Sequence, residues 1–309
     1  MEKEIIDKLK YLINKKNNLQ SICEELELKD YEVIGLVELL KQDGFLCDYI
    51  NGEIVKLKKP LEKDYVYELP HKLNDLKLLL ISDTHLCNKA DRLDILNYVY
   101  DKADRKGIKH VLHVGDLTDG IYTNRPQQIS ELRVYGFDEH LQYVVEKYPK
   151  ANDIKTFFIG GNHMNTYFKN GGSDLGKAIT KEREDLIYLN PDTADVKIGK
   201  TKIRLHHGSG GKAYSVSYKL QKYAETISPE DKVHILAQGH FHNAFYMYYN
   251  NIHCYQVGSL EDETPFSRSL GLKNEKSCYW LDVTLDDKGN PIIVDTVLET
   301  FNNKKRIRR

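Results

Sequence analysis

Five short motifs carry the side chains that could do chemistry: Asp83-Thr84-His85, Gly115-Asp116, Gly161-Asn162-His163, His206-His207-Gly208 and Gly239-His240-Phe241-His242. Carboxylate, imidazole and an Asn carbonyl together suit Mn²⁺, Fe or Zn²⁺ better than Ca²⁺ or Mg²⁺. Two divalent cations about 3.5–4 Å apart need a bridging carboxylate and several ligands each, and this set supplies both. The alternation of a strand would turn both side chains of Asp83-x-His85, and both of His240-x-His242, to one side. Gly115, Gly161, Gly208 and Gly239 let the backbone turn tightly beside them. Any one motif alone would be incidental; the set in this order, each behind a strand, is not. At His206-His207 the residue types leave either imidazole as the candidate.

The elements that must position these residues are strands. Continuous apolar or alternating runs predict strands at 76–82, 110–114, 156–159, 202–206, 233–237 and 252–257, with 279–283 and 292–297 closing the series. A helix is predicted over 91–106, ended by Gly107. Strands alternating with helices predict a layered α/β domain, and the late run of closely spaced strands predicts that part of the sheet is antiparallel. Strand ends at the C-terminal edge of such a sheet are where ligands sit.

In this order the motifs resemble the calcineurin-like metallophosphoesterase superfamily, over roughly residues 76–260. The resemblance implies an α/β fold, a four-layer β-sandwich flanked by helices, placed at 76–300; residues 301–309, with their Lys and Arg run, read as a basic tail. It implies that Asp83, His85, Asp116 and His242 bind one metal, and that Asn162, His207 and His240, with Asp116 bridging, bind a second. His207 rather than His206 then takes the ligand position, directly before glycine. Manganese is the first expectation, with iron or zinc as alternatives. His163 would contact the scissile phosphate and act as general acid, and hydroxide generated at the metals would attack phosphorus without a covalent enzyme intermediate.

The sequence departs from the family at Met164, where Asp or Glu often follows the histidine. Asp119 is the candidate replacement, supporting the catalytic histidine from behind; as an alternative it caps a helix or turn. His113 and His234 read as strand histidines without a catalytic role. The turn Gly208-Ser209-Gly210-Gly211-Lys212 could cradle a phosphate through backbone N–H groups, with Lys212 and Tyr214 as substrate-binding candidates. Lys212, Lys219 and Lys222 with Tyr214, Tyr218 and Tyr223 could hold a nucleotide by charge and stacking, or could be a surface amphipathic helix. Residues 121–150 form an insertion between the second and third motifs, of the kind that sets specificity.

Residues 1–59 read as a separate winged-helix-like domain of three helices and a hairpin around Asn51-Gly52, with Ser21 capping the second helix and Asp30 the third. They hold ten Lys against twelve Asp and Glu. That balance favours a protein-contact or packing module, with DNA contact through Lys56, Lys58 and Lys59 as the alternative. Residues 60–75 read as a linker.

The whole chain of 309 residues has a net charge of −1, so charge alone does not point to nucleic acid. Its mean hydropathy is −0.55, no long apolar run occurs, and a membrane role is not expected. Five scattered cysteines read as reduced thiols in a cytoplasmic protein. The expected function is a phosphodiesterase on nucleic acid or nucleotides, DNA exonuclease- or endonuclease-like. A phosphomonoesterase is the alternative, and an inactive scaffold the reading from outside enzymes.

Overall fold

The structure, a computed structural model, describes residues 2–15, 18–42, 45, 47–50, 53–56, 66–69, 75–151 and 153–301. The chain divides into two compact units, Met1–Lys63 and Asp64–Arg309.

In the first unit, α1 (Glu2–Asn14), α2 (Leu19–Leu26) and α3 (Asp30–Gln42) precede an antiparallel pair, β1 (Cys47–Ile50) and β2 (Glu53–Lys56). Leu9, Leu12 and Ile13 of α1 meet Ile22, Val33, Val37, Leu40, Cys47 and Ile54 in one buried cluster. Two of the expected caps differ. Asn18, in extended backbone, accepts from Ser21 N at 2.8 Å, so α2 starts before Ser21 rather than at it. Asp30 is the first helical residue of α3, and Glu32 reaches back to accept from Lys29 N at 2.8 Å. The Asn51-Gly52 turn, Lys58, Lys59 and the Lys56 side chain lie outside the described residues.

The second unit runs β3 (Val66–Leu69), β4 (Asp75–Ile81), α4 (Leu93–Arg105), β5 (His110–His113), α5 (Phe137–Lys147), β6 (Lys155–Ile159), α6 (Gly161–Met164), α7 (Thr166–Gly171), α8 (Leu175–Glu182) and β7 (Leu186–Asn190). It continues through β8 (Thr193–Ile198), β9 (Thr201–His206), α9 (Tyr218–Ala224), β10 (Ile235–Gln238), β11 (Phe245–Tyr249), β12 (Ile252–Gln256), α10 (Pro265–Ser269), β13 (Ser277–Leu285) and β14 (Pro291–Thr300). Among the described residues these strands form two mixed six-stranded sheets, in the orders β11-β12-β10-β9-β8-β3 and β14-β13-β4-β5-β6-β7. β4 to β7 are parallel, as are β9, β10 and β12, while β13 and β14 add antiparallel. β3 lies inside the stretch expected to be a linker. It pairs in parallel with β8 at the sheet edge, where four residues need bury only Leu69.

The continuous apolar run of β4 is explained by burial on both faces. Leu78 and Leu80 point between the sheets, against Val196, Ile203, Leu205, Ile235 and Tyr255 of the other sheet. Leu79 and Ile81 point the other way, under α4 residues Ile95 and Val99. On the far side, Leu220 and Ala224 of α9 cover Leu236 and Cys254. The result is four layers, helix, sheet, sheet, helix, as the α/β sandwich expectation required. Each fully buried Leu or Ile contributes roughly 1.5–3 kcal/mol. No helix among the described residues is long and apolar enough to cross a membrane.

Candidate metal centre

All five motifs follow the C-terminal ends of β4, β5, β6, β9 and β10. The loops are tied to one another by backbone hydrogen bonds: Asp83 N to Gly115 O at 3.0 Å, His85 N to Asp116 O at 3.1 Å, and Asp116 N to Gly160 O at 2.7 Å. The expected strand alternation does not hold in these motifs. β4 ends at Ile81 and β10 at Gln238, and Asp83, His85, Asp116, His240 and His242 all take left-handed backbone, with φ of 49°, 40°, 50°, 75° and 54°. Such conformations cost roughly 1–2 kcal/mol each in a non-glycine residue and persist where surrounding structure imposes them. Glycine is required between them: a Cβ on Gly161 would run into Asp116, and one on Gly115 into the His207 ring.

The side chains gather in two groups. Asp83 Oδ1 lies 3.1 Å from His242 Nε2 and 3.7 Å from His85 Nε2, and those two nitrogens are 3.2 Å apart. In the second group, His207 Nε2 faces Asp116 Oδ2 at 2.8 Å and Asn162 Oδ1 at 3.1 Å, with His240 beside them. Thus His240 and His242 serve different groups rather than one side. Asp116 joins the groups, for its carboxylate also lies within 4.8 Å of ligand atoms of His85 and His163.

Backbone carbonyls set the ring tautomers. His207 Nδ1 donates to Val114 O at 2.9 Å, leaving Nε2 to face the carboxylate, and His240 Nε2 donates to Gly210 O at 2.8 Å. His163 Nδ1 bonds Asp119 Oδ1, which leaves Nε2 for a substrate. Asp119 is itself held by Asn88 Nδ2 at 2.6 Å and Gly120 N at 2.9 Å. Met164, in the position where the family often has an acid, is buried in the core.

Burial alone would raise the Asp83 carboxyl, but the His242 and His85 imidazoles hold it well below the usual range. Burial is likewise outweighed at Asp116 by His207 and His163, and at Asp119 by His163. In return, the Asp116 carboxylate lifts His207 to about 9 despite its burial. Three buried carboxylates held ionised therefore draw positive charge into the site. Asp83 Oδ1 is buried without a hydrogen-bond donor of good geometry. That acceptor, and the Asp/His/Asn donor set around it, fit divalent cations.

Other predicted residues fall in or out of the site. Lys212 lines the same cavity, of about 670 Å³, its Nζ donating to Asn243 Oδ1 at 3.1 Å and Lys273 O at 2.9 Å. Tyr214 is fully exposed and is not part of the cavity wall. His206 stacks on Tyr223 at 3.7 Å, and His113 is buried against Thr84 and pushed down to about 3 by that burial. His234 accepts from Lys202 N on β9.

Two residues in the cavity wall escaped the sequence reading. Glu261, 3% exposed, gathers with His85 and Asp119, and burial pushes its carboxyl up to about 8. Its signal was available: β12 is parallel to β10, and an acid follows its end as in the other motifs. Tyr122, in the insertion, accepts from Asn162 Nδ2 at 2.7 Å and meets the His163 ring edge-on at 5.0 Å. No spacing could have flagged it.

A sandwich of two mixed sheets with an Asp/Asn/His site at its strand ends is the architecture of a metallophosphoesterase. The chain belongs to the calcineurin-like phosphoesterase superfamily, whose domain model matches residues 76–274. Among solved structures it is similar to Vps29 complexed with zinc from Entamoeba histolytica, with 18% identity, 74% of this chain and 100% of that chain covered, and a TM-score of 0.38. A putative 5′-nucleotidase from Staphylococcus aureus is 12% identical over 76% of this chain and 56% of its own, with a TM-score of 0.46. A 5′-nucleotidase precursor from Thermus thermophilus is 12% identical over 73% of this chain and 54% of its own, with a TM-score of 0.39. No curated protein matches.

Proposed function

We propose that the chain is a two-metal phosphodiesterase hydrolysing nucleic acid or nucleotides. The observation that carries the reading is Asp116, one carboxylate shared by two groups of ligands. Asp83, His85, Asp116 and His242 would hold one cation; Asn162, His207, His240 and the same Asp116 would hold the other. Cations bound there, manganese first, would supply charge opposite the phosphate oxygens and hydroxide at neutral pH.

The protein's own contribution is placement. Asp119 fixes the His163 ring, so that Nε2 can donate its proton to the leaving oxygen. Tyr122 accepts from the Asn162 amide, which turns the Asn162 carbonyl toward His207. Arg125, Lys169 and Lys212 line the cavity and favour a polyanionic substrate. The three-helix and hairpin unit is read as winged-helix-like, contacting DNA or a protein. The exposed acids Asp30, Glu32 and Glu38 on α3 favour a protein contact and keep the phosphomonoesterase reading in play.

The test is hydrolysis with added Mn²⁺ of bis-p-nitrophenyl phosphate, p-nitrophenyl phosphate and labelled single- and double-stranded DNA, wild type against Asp116→Asn. Cleavage of diester or DNA, absent in the variant, supports the reading. Reaction of the monoester alone makes the protein a phosphatase. Metal binding without any turnover makes it a scaffold.

A further inference from the structure

The insertion between the second and third motifs places a cation where the metal site does not need one. Arg125 precedes the 3₁₀ turn Pro126–Glu131. Its guanidinium sits over two rings, 5.2 Å from the Tyr122 centroid and 4.9 Å from that of Phe266. Rings hold a guanidinium in place without using its in-plane N–H donors. Among the described residues Arg125 has no carboxylate partner and no side-chain hydrogen bond. An arginine fixed by aromatic contacts, with its donors unspent, on the wall of an open cavity, is a preformed anion fork.

The surroundings fit an anion. Lys169 and Lys212 line the same cavity. The acids there are otherwise engaged: Asp116 faces His207, Asp119 bonds His163, Glu131 accepts from Phe266 N at 3.1 Å, and Glu261 is buried. Tyr122 touches the guanidinium, the Asn162 amide and the His163 ring, so a single side chain separates Arg125 from the reacting groups. An anion held by Arg125 would therefore lie one side chain away from a phosphate held at Asn162 and His163.

We infer that Arg125 binds a second phosphoryl group of the substrate, carried on the same sugar as the scissile one, and so sets specificity. This rests on the phosphodiesterase reading above, and it narrows the substrate to nucleotides or strands bearing a neighbouring phosphate.

The experiment compares thymidine 3′,5′-bisphosphate with thymidine 5′-phosphate by calorimetry on the full chain with Mn²⁺. Wild type is expected to bind the bisphosphate about tenfold or more tighter, the scale of a charge-assisted hydrogen-bonded pair. In Arg125→Ala the ratio should fall toward one, and Arg125→Lys, which keeps the charge but loses the fork, should be intermediate. Far-ultraviolet circular dichroism checks that the variants fold, with Arg125→Gln as a second removal of charge. The inference is overturned if wild type shows no preference or binds neither nucleotide, or if Arg125→Ala keeps the ratio. It is also overturned if Lys169→Ala alone abolishes the ratio as fully, because diffuse charge would then suffice. A parallel arm offers p-nitrophenyl esters of thymidine 5′-phosphate with and without a 3′-phosphate. Absence of turnover of both esters counts against the phosphodiesterase reading, while the binding ratio still decides Arg125.

Discussion

Two aspartates in this fold are equally buried and differently treated. Asp83 and Asp195 are both 0% exposed. Asp195, on β8, is met by its cross-strand partner Arg204, whose Nε and Nη2 donate to the two carboxylate oxygens at 2.7 and 2.8 Å, and by Lys202 Nζ at 2.9 Å. Its backbone is ordinary strand. Asp83, past the end of β4, sits in left-handed backbone, and its Oδ1 has no donor of good geometry. A carboxylate neutralised by arginine and lysine within a sheet serves the fold. One held ionised by imidazoles, with an oxygen unspent and backbone strain beside it, is the arrangement a ligand would use. Burial of charge does not by itself mark function; what sets Asp83 apart is a leftover carboxylate oxygen among imidazoles on left-handed backbone.

The contrast is most exposed to failure at Asp116. Asp116→Asn should lower Mn²⁺-dependent phosphodiester hydrolysis by about 10⁴-fold, near 5.5 kcal/mol of barrier at 1.36 kcal/mol per decade. Metal content read by atomic emission should fall with it. If the variant keeps both cations and most of its rate, the shared-carboxylate assignment is wrong. At the paired site the outcome should reverse. Arg204→Met leaves Asp195 buried with Lys202 alone, and should cost about 3 kcal/mol in urea unfolding with turnover per folded molecule unchanged. A loss of turnover at intact stability would show that the network belongs to the active site after all.

A smaller effect tests the boundary between the two kinds of site. Asp119→Asn takes away the carboxylate charge that holds His163 but no residue of either proposed ligand set. It should reduce kcat by about 10- to 100-fold, the scale of residues that orient a reacting group, while metal content stays at the wild-type level. Equal loss of metal and rate would place Asp119, with Glu261, among the ligands instead.

The parts legible in the sequence were those written in short range. Leu76 to Ile81 reads as a strand buried on both faces because its apolar run leaves no solvent face, and its Leu78/Leu79 alternation between two cores bears this out. Asp83, Asp116, Asn162, His207 and His242 stood out because each follows such a strand within a few residues. Their backbone was not legible: extended alternation was expected where the chain turns left-handed. β8 carries no plain strand signal because Asp195 and Lys197 interrupt its apolar character, although Ala194, Val196 and Ile198 alternate inward. Tyr122 meets Asn162 across 40 positions, a contact that no local pattern encodes. Tyr214 reads as a stacking candidate beside Lys212, and it is fully exposed and does not line the cavity.

The weakest of these effects concerns pH and belongs to the paired network. Asp231 accepts from Lys202 Nζ and, at 2.6 Å, from Arg204 Nη2. Burial alone would raise its carboxyl, but these two cations outweigh burial and hold it below the ordinary aspartate value. The folded chain therefore binds fewer protons than the unfolded chain in the window between the two values, and stability rises with pH there. The contribution is fully present above the unfolded value of about 3.9 and is lost as pH falls through the lower folded one. Because the side chain is 38% exposed, solvent screens the pair, and the contribution should stay below about 1 kcal/mol. Asp231→Asn removes this charge at every pH. The difference in urea-unfolding free energy between wild type and variant should thus be constant from about pH 7 to 5 and shrink below about pH 4. A difference that persists undiminished to pH 3 would mean that Asp231 acts by packing or neutral hydrogen bonds. The contrast between a sheet stabilised by paired charge and a site poised by unpaired charge would then rest on Asp195 alone.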